Sequence, residues 1–291
     1  MARMTMMPEG IKHPTAAQQW QYANFTNAYM FTEVLRSNKA LTERIIRLCV
    51  PDLGDFEIIG FDREVTQQTS VLEKSGRLDV RIRLKDGRII LIEMQVRKQK
   101  YFVRRIRFYQ SEADIESLDP GDEEYHLPDI IQISVCDFDP VGKGQYIYDF
   151  EYRDRREPGI RMNDGTRKIF LNIRGKNGEV TEEQKAFISY LRGRETEDAL
   201  CGEIDDTVRQ IKDNEDRRRN FMKLKDYLYE ERVAAREEGL AEGRAEGKAE
   251  GKAEAIRELV LRKLDKGLTP EETAELFELP LETVKEIAAE A

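Results

Sequence analysis

The sequence predicts an α/β fold in which a mixed β-sheet is flanked by helices and followed by a helical C-terminal extension. Short apolar runs typical of strands recur through the first two thirds of the chain, and helical spacing separates them. From residue 195 onward the sequence is highly charged and helix-prone. With 291 residues, of which 40% are hydrophobic, the chain can form one sizeable core plus an extension.

The individual elements follow from local patterns, taken in chain order. Apolar residues at helical spacing predict a helix over residues 31–49, which the segment P-D-L-G-D ends. The spacing of Thr181 and Gln184 is close to that of a capping box, which predicts a later helix that ends near Gly193. Strands are predicted at residues 56–65, 77–84, 89–96, 130–138, 146–152 and 168–173.

Two of these strands form a candidate hairpin with an acidic residue on each arm. Asp79 precedes the run V-R-I-R-L, and Glu93 and Gln95 lie in the run I-I-L-I-E-M-Q. The K-D-G segment between the runs has turn chemistry, because Asp can bond its own backbone and Gly accepts positive φ. A two-residue loop would place Asp79 opposite Met94, facing away from Glu93. A three-residue loop closed by a G1 bulge would place Asp79 opposite Glu93.

The three-residue loop would bring both carboxylates within reach of one divalent ion. Directly opposed Cβ atoms lie about 4.5–5.5 Å apart, and Gln95 projects from the same face. Oxygen ligands of this kind suit Mg²⁺ or Mn²⁺. Spacing alone favours the alternative that Asp79 and Glu93 are solvated residues of a half-exposed hairpin. The apolar residues around Glu93 oppose that alternative, because they predict a strand buried on both faces, where a carboxylate needs a partner.

Several short motifs follow one another in order around this hairpin. They are R-L-D-V, D-G-R, I-E-M-Q, an F-x-x-R-x-x-x-Y spacing from Phe102 to Tyr109, and P-D-I-I-Q-I-S-V. Together they resemble the Rpn family of recombination-promoting nucleases and transposases, over more than half of the chain, from about Tyr29 to Gly193. The resemblance implies a core of the PD-(D/E)XK restriction-endonuclease-like type, a mixed sheet flanked by helices, and a DNA endonuclease that acts in recombination or transposition.

The same resemblance implies roles for individual residues. Asp79 and Glu93 would be the ligands of Mg²⁺ or Mn²⁺, and Gln95 would occupy the position of the superfamily's lysine. A lysine can orient or deprotonate the attacking water, whereas Gln95 only donates and accepts hydrogen bonds, which leaves more of the chemistry to the ion. Glu33 and Glu64 are the candidates for a further metal-binding carboxylate. The sequence does not choose between them, and an ordinary surface glutamate is the simpler interpretation of each.

The densest basic and aromatic stretch of the chain follows the candidate site, over residues 97–109. On a helix, Phe102, Ile106 and Tyr109 fall on one face and leave most basic residues on the others. Such a surface suits a DNA backbone bound without base-specific contacts, and a solvated amphipathic helix is the alternative. Arg105 is also a candidate for a structural role. The candidate DNA-binding residues are Arg97, Lys98, Lys100, Arg104, Arg105 and Arg107.

Composition restricts the remaining classes of function. The formal net charge of −9 means that any nucleic-acid surface must be local. The three cysteines are odd in number and widely spaced, which predicts reduced, buried thiols rather than disulfides or zinc ligands. Two histidines are too few for a histidine-rich zinc site or an HNH-type nuclease. The sequence has no run of 18 apolar residues and no signal-peptide pattern, which predicts a cytoplasmic protein that does not enter membranes.

The C-terminal third contains a tetrad repeat, E-G-x-A. Four residues advance about 400° around a helix, so Glu, Gly, basic and Ala residues would each form a column. Gly and Ala columns permit close approach, and Glu columns can face Lys and Arg columns, which predicts a homo-oligomer formed through these helices. A flexible low-complexity linker is the alternative. The predicted organisation is a partly disordered segment (1–28), a nuclease-like domain (29–194), a charged helical arm (195–237), the repeat (238–254) and a small acidic module (255–291).

The acidic module has the rhythm of a helix-turn-helix pair, with Thr269 as a cap, Pro270 in the first turn and a turn at Leu279-Pro280. Between Thr269 and Ala291 it has seven glutamates and one basic residue, Lys285, so it suits protein contacts better than DNA.

Two function classes follow for the whole chain. The favoured one is a metal-dependent DNA endonuclease. The alternative is a nuclease-like scaffold with little or no catalytic activity, which Gln95 keeps open.

Overall fold

The computed structural model describes residues 4, 6–8, 14–61, 80–118 and 126–290 of the chain. The helices in these ranges are α1 (Ala16–Gln21), α2 (Ala28–Ser37), α3 (Lys39–Cys49), α4 (Phe102–Glu116), α5 (Glu182–Leu191), α6 (Ala199–Lys212), α7 (Glu215–Leu264), α8 (Pro270–Phe277) and α9 (Leu281–Ala289). The strands are β1 (Ile58–Phe61), β2 (Val80–Leu84), β3 (Ile89–Gln95), β4 (Ile130–Cys136), β5 (Ile147–Phe150) and β6 (Thr166–Asn172). The chain forms two compact units, Met1–Lys225 and Asp226–Ala291.

A single mixed sheet organises the first unit, with strand order β1-β2-β3-β4-β6-β5. The strands β1, β2 and β3 form an antiparallel meander. The pairs β3-β4 and β4-β6 are parallel, and β5 is antiparallel to β6. A parallel pair needs a crossover connection, and α4 supplies it between β3 and β4. Each strand overlaps the range that the sequence predicts for it, so the α/β prediction is confirmed.

One face of the sheet carries the main hydrophobic core. Side chains such as Ile82, Ile92 and Ile133 point to this face and belong to one buried cluster with residues of α2, α3, α5 and α6. An apolar stripe of α6 is part of it, with Leu200, Ile204, Val208 and Ile211 all buried. At the start of α7, Phe221 packs on the Trp20 ring at 5.2 Å between centroids. This face is therefore apolar and closely packed.

The opposite face is covered by α4 and is less uniform. Phe102 and Ile106 of α4 pack on Cys136 and Phe170 at one end of the sheet. At the other end, Ala113 packs in a small cluster with Leu91, Ile89 and Ile130. The prediction that α4 buries Phe102, Ile106 and Tyr109 on one side is confirmed. The strand positions that lie between these two clusters carry polar residues, and they form the candidate site.

The predicted single helix over residues 31–49 is wrong, because the chain forms two helices separated at Asn38. The Asn38 backbone is extended, with φ −136° and ψ 94°, and its side chain accepts a hydrogen bond from the Leu41 amide at 3.0 Å. Asn38 thus acts as the N-cap of α3, a position that its short polar side chain favours. The helical spacing of apolar residues continues across the break, which explains why periodicity alone did not show it.

The second unit contains the C-terminal part of α7 together with α8 and α9. Val260, Ala274 and Val284 form its small buried core. Thr269 caps α8 in a reciprocal capping box with Glu272, and Pro270 occupies the first turn. The predicted pair of short helices is therefore confirmed. The tetrad repeat lies within α7 and is helical.

The three cysteines are buried free thiols, as the sequence predicts. Burial raises the pKa of Cys49 to about 12. The pKa of Cys136 is raised by burial and by the negative charges of Glu93 and Asp139, and that of Cys201 is raised by burial first. Thiols with such pKa values stay protonated and are poor nucleophiles or metal ligands. Among the described helices, none combines the length and the apolar character needed to cross a membrane.

Candidate active site

The turn between β2 and β3 selects one of the two registers that the sequence left open. Val80 lies opposite Ile92, the Leu84 amide donates to the Arg88 carbonyl at 2.9 Å, and the Gly87 amide donates to the Leu84 carbonyl at 3.1 Å. Gly87 has φ 91°, in the left-handed region that glycine accepts without strain. This is the register of the three-residue loop. The two-residue alternative is wrong.

The proposed carboxylates differ in what the structure describes of them. Glu93 lies within β3, whereas Asp79 and Glu64 fall outside the described residues. Glu33, on α2, forms an ion pair with Arg217 at the start of α7. In the described ranges, no group of three or more His, Cys, Asp and Glu side chains is arranged to hold a metal ion. Of these four carboxylates, Glu93 is therefore the one around which the site can be built.

Glu93 is a buried carboxylate with defined hydrogen-bond partners. Its side chain is on the α4 face of β3, and the residue is 3% exposed. The Ser134 hydroxyl of the adjacent strand β4 donates to Oε1 at 2.7 Å, and the Gln95 amide nitrogen donates to Oε2 at 2.7 Å. The parallel register sets Glu93 directly beside Ser134. The predicted burial of Glu93 is thus confirmed, and both oxygens are oriented by neighbouring side chains.

Arg105 of α4 is a further neighbour of Glu93. Its Nη2 lies 4.0 Å from Glu93 Oε2, and its guanidinium carbon lies 5.9 Å and 5.6 Å from the ring centroids of Phe102 and Tyr109. Nη1 donates to the Gln99 side chain. Nε and Nη2 are buried and have no hydrogen-bond partner within the described residues. The cation is therefore next to the carboxylate without being hydrogen-bonded to it.

Polar residues of β4 extend the site, although they were not among the predicted site residues. Gln132 is 2% exposed, and its Oε1 has no hydrogen-bond partner in the described part of the chain. Gln132 and Ser134 are two residues apart on an otherwise apolar strand, so they share a face. The alternation of polar and apolar residues within I-I-Q-I-S-V-C is the sequence signal that could have identified Gln132 and Ser134. A buried strand that places polar residues on one face indicates partners on the neighbouring strand.

The loop after β4 is organised around a single carboxylate. Asp139 accepts hydrogen bonds from the amides of Gly142 and Gly144, at 2.7 and 2.6 Å, and from the Tyr148 hydroxyl at 2.8 Å. Burial acts to raise the pKa of Asp139, but these donors outweigh it and lower the pKa to about 2. Asp139 thus stays ionised and holds the loop in shape at the same end of the sheet as Gln95.

The predicted DNA-binding residues separate into two groups. Five of them are exposed and are called the basic surface here: Arg97, Lys98, Lys100, Arg104 and Arg107. Arg105 is apart from them, since its side chain is 21% exposed and lies beside Glu93. Tyr101 and Phe108 are 58% and 38% exposed and lie among the basic residues. The side chains of Lys100 and Arg104 lie 5.3 Å and 5.7 Å from the Tyr101 ring centroid.

The part of the chain that contains this site matches a known protein family. A family model described as PD-(D/E)XK nuclease family transposase matches residues 50–235, well over half of the chain. The chain belongs to this family. The PD-(D/E)XK match supports a nuclease-like function, contains the hairpin, α4 and β4, and begins after the helix that carries Glu33. No match was found among curated proteins or among solved structures.

Proposed function

We propose that this PD-(D/E)XK protein is a metal-dependent DNA endonuclease that hydrolyses a phosphodiester bond with a metal-activated water. The observation that carries the proposal is the buried, hydrogen-bonded carboxylate of Glu93 on a hairpin of the required register. Val80 pairs with Ile92. If the same register continues by one residue, Asp79 lies opposite Glu93, and the two carboxylates share a face.

The described donors around Glu93 are consistent with a hard divalent cation. Glu93 and Gln95 offer oxygens, and the Gln95 amide donates through its nitrogen, which leaves its oxygen as an acceptor. Glu93 and Asp79 would hold Mg²⁺ or Mn²⁺, which prefer such ligands. When bound, the ion supplies Lewis-acid chemistry that lowers the pKa of the attacking water and stabilises the leaving oxygen.

The protein side chains hold and orient the reacting groups. Ser134 and Gln95 hold the Glu93 carboxylate in one orientation, which reduces its freedom before substrate binds. Gln95 lies at the edge of the site and is less buried than Glu93, so its amide can position water or a phosphate oxygen. The basic surface binds the DNA backbone through charge, which predicts affinity that falls as salt concentration rises.

Plasmid nicking tests this proposal. Wild-type protein, Asp79→Ala and Glu93→Ala are incubated with supercoiled DNA and Mg²⁺ or Mn²⁺, with Glu57→Ala as the control. Glu57 is an exposed carboxylate paired with Lys85 beside the same hairpin. We expect cleavage by the wild type and the control and loss of cleavage in the other two variants. Equal cleavage by all four proteins would show that this pair of carboxylates is not the catalytic site.

A catalytically weak scaffold is the second candidate function, and Gln95 is the observation that favours it. The position that carries lysine in the superfamily has a neutral amide here, already hydrogen-bonded to Glu93. In this alternative the basic surface binds DNA, and no member of the nicking series cleaves it. DNA binding that persists without cleavage, and that weakens in Arg104→Ala, would support the scaffold.

We also propose that the protein forms a homo-oligomer through the tetrad repeat of α7. Residues 231–255 are exposed throughout. A Cβ added at Gly239, Gly243, Gly247 or Gly251 would meet nothing within 4 Å. These helical glycines therefore serve no packing purpose within the described chain, although each lowers helix stability by about 0.8–1 kcal/mol relative to Ala. A second copy of α7 supplies a reason for them, because glycine allows close approach and the Glu and basic columns are complementary.

Alanine at all four of these glycines tests the homo-oligomer. If the glycines admit a partner helix, the variant has a lower mass by light scattering, although its helix content by circular dichroism is unchanged or higher. Deletion of residues 238–254 should likewise lower the number of chains per particle. If both proteins keep the same number of chains per particle as the wild type, association through the repeat is contradicted. The nuclease proposal is unaffected by that result.

A further inference from the structure

Arg105 of α4 places a positive charge near Glu93. In the superfamily a lysine two residues after the acidic ligand provides that charge, but this chain has Gln95 there. Arg105 Nη2 is 4.0 Å from Glu93 Oε2. Gln95 and Arg105 therefore approach the same carboxylate oxygen, one from the strand and the other from the helix above it.

The guanidinium is held in a way that a structural ion pair does not require. Its contacts with the Phe102 and Tyr109 rings and its hydrogen bond to Gln99 fix its position. In the described part of the chain, Nε and Nη2 nevertheless have no acceptor, and 4.0 Å exceeds hydrogen-bond length. Buried donors are seldom left unpaired, because their desolvation is then uncompensated. Two adjacent donors on one edge of a guanidinium match the oxygens of a phosphate.

We propose that Arg105 is a catalytic residue that contacts the scissile phosphate and supplies the positive charge that Gln95 lacks. This inference rests on the proposed endonuclease function. Nε and Nη2 donate to a non-bridging phosphate oxygen, whose charge increases in the transition state. The water oxygen bonds to phosphorus as the bond from phosphorus to the leaving oxygen breaks. The water loses a proton to solvent and the leaving oxygen gains one, while Arg105 stays protonated throughout.

Arg104 is the natural comparison for Arg105, because it is the adjacent residue on the same helix and points to solvent. As part of the basic surface, Arg104 binds substrate and transition state about equally. Its loss should therefore raise KM more than it lowers kcat. Arg105 would act mainly in the transition state, so its loss should lower kcat and change KM little. Substitution of Arg104 is thus predicted to change mainly KM, and substitution of Arg105 mainly kcat.

The test measures kcat, KM and melting temperature with Mg²⁺ and plasmid DNA for the wild type, Arg104→Gln, Arg105→Gln, Arg105→Lys and Arg105→Gln combined with Gln95→Lys. We expect Arg105→Gln to lower kcat by about 100-fold or more, as loss of a transition-state donor does. Lysine at position 95 should restore at least about tenfold of that loss, because it returns the charge to the strand. Arg105→Lys keeps the charge but not the paired donors, so its kcat should fall by about tenfold.

Several results would overturn the inference. One is a cleaving wild type whose kcat stays within about threefold in Arg105→Gln. Failure of the Gln95→Lys change to restore any activity would also overturn it. If Arg105→Gln does not fold, wild-type kcat in a folded Arg105→Lys protein excludes the paired contact. No cleavage by the wild type overturns the endonuclease function together with this inference, whereas the other outcomes reject the Arg105 role alone.

Discussion

The two faces of the central sheet differ in what their side chains do. On β3, Ile90, Ile92 and Met94 point into the main core, whereas Glu93 and Gln95 point toward α4. Packing on the core face is apolar and continuous, and it stabilises the fold. The α4 face interrupts its apolar contacts with a carboxylate, an amide, a hydroxyl and a guanidinium. Alternation along a strand therefore lets a single element pack the core on one side and carry the proposed catalytic groups on the other.

This difference has an energetic basis. Burying Glu93 is costly unless hydrogen bonds and a nearby cation compensate it, and Ser134, Gln95 and Arg105 lie where they can do so. The core face has no such cost, because its buried groups are apolar. Changes on the two faces of β3 should therefore separate activity from stability. Four substitutions test that separation.

The largest effect is expected for Glu93→Gln. The substitution keeps the size of the side chain but removes the charge that we propose binds the metal ion, so cleavage should fall by about 1,000-fold or more, a loss typical of essential catalytic groups. The melting temperature should change by only a few degrees, on the order expected for about 1 kcal/mol. Initial rates of plasmid nicking and thermal unfolding measure the two quantities. Activity near the wild-type level would contradict the division of the two faces.

The converse change is Ile92→Ala, one residue away on the core face. Ile92 is fully buried, so truncation should lower the free energy of unfolding by about 2–5 kcal/mol through lost burial and the cavity that remains. Activity per folded molecule should stay close to that of the wild type. Urea unfolding gives the first quantity, and nicking at a temperature where the variant is folded gives the second. A loss of kcat as large as that of Glu93→Gln would show that the faces are coupled.

A smaller and pH-dependent effect is expected for Asp139→Asn. The hydrogen bonds that lower the Asp139 pKa to about 2 in the folded state stabilise the fold above the unfolded-state pKa. The variant should lose about 1–2 kcal/mol at neutral pH, after allowance for solvent screening. The wild type should lose this stabilisation as the pH falls from about 4 to about 2. Urea unfolding at a series of pH values should show that the free energies of unfolding of the two proteins converge in that range. A difference in free energy that does not change with pH would assign the effect to another cause.

The smallest effect on activity is expected for Glu33→Gln. Glu33 is paired with Arg217 and lies before the residues that match the PD-(D/E)XK family. Its substitution should change the cleavage rate by less than about threefold, and the loss of the partly exposed ion pair should cost about 1 kcal/mol or less. Nicking assays at several Mg²⁺ concentrations measure this. A requirement for much more Mg²⁺ would instead identify Glu33 as a metal ligand.

Features of this chain that arise from local patterns were predictable, and those that depend on a second element were not. Strands were predictable because alternation and β-branched residues are local, and Glu93 was singled out by its place in an apolar run. The helix caps at Thr181 and Thr269 were visible for the same reason. The break at Asn38 was missed, because the apolar spacing of two successive helices happens to stay in phase. Ser134 was missed, although polar and apolar residues alternate around it, because its partner Glu93 lies on the neighbouring strand.

By itself, the sequence determined the α/β class, the family motifs, the burial of Glu93 and the columns of the tetrad repeat. All of these arise from patterns within a few turns or strands. The tertiary structure alone selected the three-residue register, placed Ser134 beside Glu93 and separated Arg105 from Arg104. The register follows from which of two conformations the loop at residues 85–87 adopts, whereas the other two features depend on which strands become neighbours and how α4 is rotated on the sheet. Non-local packing decides both, and no short stretch of sequence encodes them.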